Sequence, residues 1–135
     1  MPNWKLSAEF TFDSAHTIVG YDGPCGRLHG HTYRARLELS ASRLRSSANL
    51  ERPSMVADFK SLKWAKRDVA QGGLDHAFLN DIVGDDTTAE VIAQHIHRET
   101  MRRVRASLLK DDADDDLRLT VTLWETPDSS CEYWE

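Results

Sequence analysis

Three segments of this chain alternate apolar and polar residues with a period of two, and that period decides most of what the chain can fold into. Trp4, Leu6, Ala8, Phe10 and Phe12 alternate with Lys5, Ser7, Glu9 and Thr11. Tyr33, Ala35, Leu37, Leu39 and Ala41 alternate with Arg34, Arg36, Glu38 and Ser40, and Leu117, Leu119, Val121 and Leu123 with Arg118, Thr120, Thr122 and Trp124. Successive side chains of a strand point to opposite faces, so each segment predicts a strand with one buried face. A sheet with one apolar face needs a cover, and two helical patterns supply it. Asp58 caps the first, whose inward positions are Phe59, Leu62, Ala65 and Val69 and which Gly72-Gly73 ends. Thr87-Thr88-Ala89-Glu90 fits a capping box ahead of the second, with Ala89, Ile92, Ala93, Ile96, Thr100, Val104 and Leu108 at helical spacing. Cys131–Glu135 adds a short fourth strand. The expected fold is α+β, an antiparallel four-stranded sheet with two helices packed on one face.

At 135 residues the chain predicts a single domain, 1–135, with no linker. A net charge of -5 argues against nucleic acid as a partner, because binding its backbone rests on clustered Lys and Arg. No apolar run is long enough to cross a bilayer, and Met1-Pro2-Asn3-Trp4 leads into a strand pattern rather than a signal peptide. The expected compartment is cytoplasmic, where Cys25 and Cys131 are free thiols. The polar stretch 42–54 reads as an exposed hairpin or loop, and the acidic run 111–116 as a solvated loop.

The chemistry concentrates in Cys25-Gly26-Arg27-Leu28-His29-Gly30-His31. Two positions apart on an extended chain, His29 and His31 project from one face, as two ligands of one metal ion must. Antiparallel pairing of the first two strands brings His16 beside them. Three histidines are the usual protein complement of a catalytic zinc, which keeps a fourth position open. Cys25, on a Gly-rich turn near that metal, suits a base or nucleophile; Cys131, without such neighbours, suits packing. In Asp75-His76 a carboxylate can orient a proton-exchanging histidine. Glu125, at the end of the third strand, can accept paired hydrogen bonds from a heterocycle. His95 and His97 lie within the second helix and read as surface or packing residues.

These blocks resemble the 6-pyruvoyl-tetrahydropterin synthase family, and most closely its bacterial 6-carboxy-tetrahydropterin synthase branch in the queuosine (7-deazaguanine) pathway. The resemblance runs nearly end to end, through Phe10-Thr11-Phe12-Asp13-Ser14-Ala15-His16, Cys25 to His31, Asp58-Phe59, Leu74-Asp75-His76, Thr88-Ala89-Glu90, Glu125-Thr126 and Cys131-Glu132-Tyr133. It implies zinc bound by His16, His29 and His31, with Cys25 as general base and His76, supported by Asp75, as proton-relay partner. It further implies that Glu125 anchors a pterin ring and joins the relay, that Thr88 lines the pterin pocket, and that the substrate is 7,8-dihydroneopterin triphosphate. The implied architecture is the T-fold, assembled as a homohexamer from two trimers with active sites at subunit junctions. Thr87 departs from the family pattern, which often has proline there. The nearest alternative is 6-pyruvoyl-tetrahydropterin synthesis, in which triphosphate is eliminated and the carbon side chain kept. An alternative of another class is a noncatalytic pterin-binding or structural-zinc module.

Overall fold

The strand period extends further than hydropathy marks it. The computed structural model describes residues 3–135, so Met1 and Pro2 of the expected leading segment lie outside the described residues. In it, β1 (Trp4–His16) and β2 (His29–Ala41) form one antiparallel ladder running from Trp4 opposite Ala41 to His16 opposite His29. Ser14 and His16 keep the buried parity of Phe10 and Phe12 although neither is apolar. The ladder therefore carries a polar end on the same face as its apolar middle.

A hairpin, β3 (Arg45–Ser47) and β4 (Leu50–Met55), follows as a separate two-stranded sheet. Next comes α1 (Lys60–Trp64), which runs directly into a π-helical stretch, Ala65–Leu74. The N-cap of α1 is Phe59 rather than Asp58, although Asp58 Oδ1 accepts from the Lys60 N–H at 2.9 Å just ahead of it. Two residues of β5 (Ala77–Phe78), a single turn of α2 (Asn80–Val83) and the long α3 (Ala89–Ser107) lead into β6 (Arg118–Thr126) and β7 (Ser129–Trp134). The main sheet is ordered β5-β1-β2-β6-β7. It has five strands rather than four, because β5 adds a parallel edge beside β1. Two residues show no alternation, so only tertiary pairing reveals that strand.

The inner face of β1, β2 and β6 meets Leu62, Ala65 and Val69 of the first helical segment and Ile92, Ala93, Ile96 and Val104 of α3 in one core. Full burial of a side chain of Leu, Ile or Phe size contributes roughly 1.5–3 kcal/mol, so this face supplies most of the driving force. α3 lies over β6 and β7, and the π stretch lies against β1. The inner end of β1 is thus roofed by the segment that leads to Asp75.

Several expected details are corrected. Phe59, the N-cap of α1, is 50% exposed rather than an inward position. Gly72 and Gly73 do not end their helix, since neither takes the left-handed conformation by which glycine stops one. The capping box does not form: Thr88 is the N-cap, accepting from the Val91 N–H, and Thr87 is turned inward and fully buried. Leu108 is the C-cap of α3 and not a helical core position. The acidic run is not simply solvated. Asp112 and Asp116 ion-pair with Arg45, whose side chain is 1% exposed within the expected open hairpin. Arg43 binds the same two carboxylates from the surface. A buried guanidinium needs such partners, and these lie some seventy residues away, beyond the reach of a local reading.

Candidate functional site

The polar end of the β1–β2 ladder holds three imidazoles. Direct pairing of His16 with His29, and of Ser14 with His31, places all three histidines on the helix-covered side of the sheet. Their ring centroids are 4.5 Å (His16–His29), 5.2 Å (His16–His31) and 4.9 Å (His29–His31) apart. One nitrogen of each lies within 4.8 Å of the other two. The parity expected of His29 and His31 and the proximity expected of His16 are both present.

Hydrogen bonds decide which nitrogens face one another. His16 Nδ1 lies 2.8 Å from the Thr87 carbonyl oxygen, which can only accept, so Nδ1 carries the proton. The Thr87 hydroxyl, 3.0 Å from the same nitrogen, donates its own hydrogen to the Thr17 carbonyl and presents a lone pair to His16. His29 Nδ1 likewise donates to the Arg27 carbonyl at 2.6 Å. In the neutral form of either ring, Nε2 is thus the nitrogen that offers a lone pair. Buried His31 Nε2 has no hydrogen-bond partner and stands 3.6 Å from Glu125 Oε1.

Burial foremost, then neighbouring His29, pushes the His16 pKa below the ordinary imidazole value against the opposing hydrogen bond to Thr87. Burial also lowers His31, and the Glu125 charge offsets this only in part. With His31 favoured neutral, its approach to Glu125 is not an ion pair. Three clustered imidazoles, two of them pushed toward the neutral ring by burial, with an orphaned buried nitrogen beside a carboxylate, form a donor set suited to a cation. Tyr33 closes its floor, its hydroxyl 3.4 Å from His16 Nε2 and kept protonated chiefly by burial.

Glu125, at the end of β6, and Thr88, at the cap of α3, line one cleft of about 270 Å³ with Ile18, Glu90 and Cys131. The structure thus brings together two residues 37 positions apart. Cys131 packs against the core as expected and also faces this cleft; burial pushes its thiol pKa up. Cys25 sits in the 3-10 turn Pro24–Gly26, fastened by the Ile18 N–H to the Cys25 carbonyl at 3.0 Å. Gly26 is required there, since a Cβ would come within 2.4 Å of the Tyr21 carbonyl oxygen. Cys25 is half-buried and its sulfur does not belong to the histidine cluster.

Asp75 and His76 lie on the far side of β1. Asp75 Oδ2 accepts from His76 Nδ1 at 2.9 Å, and the His76 side chain is 79% exposed. His76 shares an open groove of about 550 Å³ with His31, Asp13 and Thr32. The Asp75 hydrogen bond raises the His76 pKa, the opposite of what burial does to His16 and His31. His95 and His97 are packing residues as expected: His97 is buried, with Nε2 donating to the Leu119 carbonyl at 3.1 Å.

Sequence reasoning missed the contacts of Thr87 and Asp13. Thr87 carried a signal, because two threonines at one helix start cannot both be the cap, which leaves one hydroxyl for another partner. Asp13 carried only its outward parity on β1.

The profile of the family described as "6-pyruvoyl tetrahydropterin synthase" matches residues 5–135. A Haemophilus influenzae protein named 6-carboxy-5,6,7,8-tetrahydropterin synthase is 35% identical over 144 aligned positions, covering 98% of this chain and 99% of its own length. A Synechocystis protein of the same name is 37% identical, covering 69% of this chain and 71% of its own. Among solved structures, the Caenorhabditis elegans 6-pyruvoyl tetrahydropterin synthase superposes with a TM-score of 0.71 at 21% identity, covering 100% of this chain and 97% of that one. The Plasmodium vivax enzyme superposes with a TM-score of 0.72 at 21% identity, covering 100% and 99%. At that identity the two structures establish the fold, which is the T-fold.

Proposed function

The chain belongs to the 6-pyruvoyl tetrahydropterin synthase family, and from that premise we propose that it is a zinc-dependent 6-carboxy-5,6,7,8-tetrahydropterin synthase. It converts 7,8-dihydroneopterin triphosphate and water to 6-carboxy-tetrahydropterin, acetaldehyde and triphosphate, supplying a precursor of 7-deazaguanine nucleosides in the cytoplasm. Relatives bearing the carboxy name at 35% and 37% identity support this product over the pyruvoyl one.

The observation that carries the reading is the cluster of His16, His29 and His31 with His31 Nε2 unpartnered beside Glu125. Its chemistry fits zinc. Neutral imidazoles are the ligands zinc takes, and backbone carbonyls fix the protonated Nδ1 of His16 and His29, the usual support of a zinc-binding histidine. When bound, zinc supplies Lewis-acid polarisation of the substrate side chain. Glu125 accepts hydrogen bonds from the pterin N–H edge, and Thr88 borders the same cleft. Cys25 removes a side-chain proton, and His76, oriented by Asp75, returns one. Three candidate protein ligands distinguish this set from a structural site, which would close with four.

Cys25 and the Asp75–His76 pair serve different copies of the site in a homohexamer built from two trimers. Cys25 belongs neither to the histidine cluster nor to the lining of the groove of His76, which supports that arrangement. So does the unpaired edge of β7 with its exposed Trp134, an open strand that a neighbouring subunit can extend. Incubation of the purified protein with dihydroneopterin triphosphate, with the pterin identified by mass, tests the reading. Carboxy-tetrahydropterin with stoichiometric acetaldehyde is expected, and a pyruvoyl product without acetaldehyde overturns it.

A further inference from the structure

The end of β1 presents His16 to the histidine cluster on one face and Asp13 to the Asp75–His76 pair on the other. Asp13 contacts that pair through three of its groups. Its N–H donates to Asp75 Oδ1 at 2.9 Å, and its carbonyl accepts from the His76 N–H at 2.6 Å. Its carboxylate, held by the Thr32 hydroxyl across the strand pair, lies with the Asp75 carboxylate and a His76 ring nitrogen in a group whose atoms are all within 4.8 Å.

We propose that Asp13 is a positioning residue that, with Asp75, brackets His76 between two carboxylates and sets it up as the proton donor of the site. The inference rests on the reading of His76 as relay partner.

The backbone shows how firmly the bracket is built. His76 has φ of 56°, the one positive value of a non-glycine residue among those described. That left-handed conformation is uncommon outside glycine, though histidine adopts it more readily than most residues, and here local bonds hold it. The restraints are the His76 N–H bond to Asp13, the parallel pairing of Ala77 with Ser14 and Phe78 with Ala15, and the Leu79 N–H bond to the Ala15 carbonyl at 2.9 Å. Four consecutive residues are thereby registered against β1. The ring cannot drift from the carboxylates without breaking that register.

Electrostatics follow from the geometry. Asp75 has one oxygen on His76 and the other on the Asp13 N–H, so it is fixed rather than swinging in solvent. A single exposed carboxylate holds a proton on imidazole only weakly, and a second charge close by adds to the first. Asp13 acts in the same direction as Asp75 on His76. His31 of β2 is the other titratable residue lining the groove, and its Nε2 is turned to Glu125 with no hydrogen-bond partner among the described residues. The exposed imidazolium can therefore deliver its proton to a molecule in the groove. Asp13 borders the same groove and acts on the proton through His76.

The test follows the His76 ring proton by NMR in the full-length, assembled protein while pH is varied, for the wild type, Asp13→Asn, Asp13→Glu and Asp75→Asn. Asp13→Asn keeps the size and the backbone bonds but removes the charge. Its His76 midpoint is expected below that of the wild type, by less than the drop in Asp75→Asn, and Asp13→Glu should restore most of it. The alkaline limb of kcat should move to lower pH with KM unchanged. Turnover in Asp13→Asn then falls on the order of tenfold above the midpoint and little below it. An unchanged His76 midpoint in Asp13→Asn overturns the proposal whatever turnover does. A lowered midpoint with an unmoved alkaline limb overturns it too, and in that case the assignment of His76 as donor is what fails. If wild-type protein makes no pterin product, the functional reading fails while the midpoints still report whether Asp13 acts on His76. Should Asp13→Asn fold poorly, Asp13→Ser makes the same comparison.

Discussion

The two faces at the end of β1 use the same side chain for opposite ends. On the covered face, burial drives His16 and His31 toward the neutral ring. On the open face, three residues back along the strand, carboxylates drive His76 toward the charged one. A metal ligand must offer a lone pair, and a proton donor must hold its proton. The difference teaches that environment, not residue type, sets which charge state each ring favours. Burial is set by the sheet face, and charge by which loop returns to the strand edge.

The largest expected effect breaks the covered face. His16→Ala or His31→Ala should lose the bound zinc, measured by elemental analysis of the purified protein, and abolish turnover with it. Full zinc occupancy in either variant contradicts the ligand assignment. His76→Ala tests the open face separately: kcat should fall by roughly 10²–10⁴, the usual worth of a general acid or base, with zinc content unchanged. Cys25→Ala should match it in size and also leave zinc in place. If either variant loses metal, the two faces are not independent and the comparison collapses.

A smaller effect is expected at Thr87, where the hydroxyl but not the carbonyl can be removed. Thr87→Val keeps the His16 Nδ1 bond to the backbone and deletes the 3.0 Å contact to Oγ1. Loss of an outer-shell partner weakens a metal site by about 10–100-fold, and with the carbonyl retained the lower end is expected. Competition with a fluorescent chelator measures it. An unaltered affinity shows that the carbonyl suffices, as it must where proline occupies this position.

The smallest effect concerns stability against pH, and its sign separates the two faces. For His16, His31, His95 and His97 the folded pKa lies below the ordinary value. Just below that ordinary value the unfolded chain binds more protons, so stability falls as pH drops through the window. His76 runs the other way: its contribution is fully present below the unfolded value and fades as pH rises through its raised folded value. Four buried or half-buried rings outweigh one exposed one, so the metal-free protein should melt at lower temperature at about pH 5.5 than at about pH 7.5. His97→Gln should flatten part of that slope without touching either face. A melting temperature that rises toward acid means that burial is not the dominant influence.

The sheet was readable because its signal is local. Phe10, Phe12, Tyr33 and Leu37 announce their face by period alone, and the same parity carries His29 and His31 onto it. β5 was not readable, because two residues have no period. The solvated reading of 111–116 failed because Arg45, buried 67 positions before Asp112, has no apolar pattern to betray it. Thr88 was legible as part of a helix start, but which threonine capped and which turned inward was not.

By itself the sequence determined which side chains share a face and which residue types could hold a cation or move a proton, since both follow from spacing along one strand and from side-chain chemistry. Only the tertiary structure decided which of them meet and in what charge state. The pairing of His16 with Thr87 spans 71 positions and that of Asp13 with Asp75 spans 62. Such contacts depend on how segments pack across the core, and they choose the tautomer, the burial and the neighbouring charge that favour the neutral ring in one histidine and the charged ring in another.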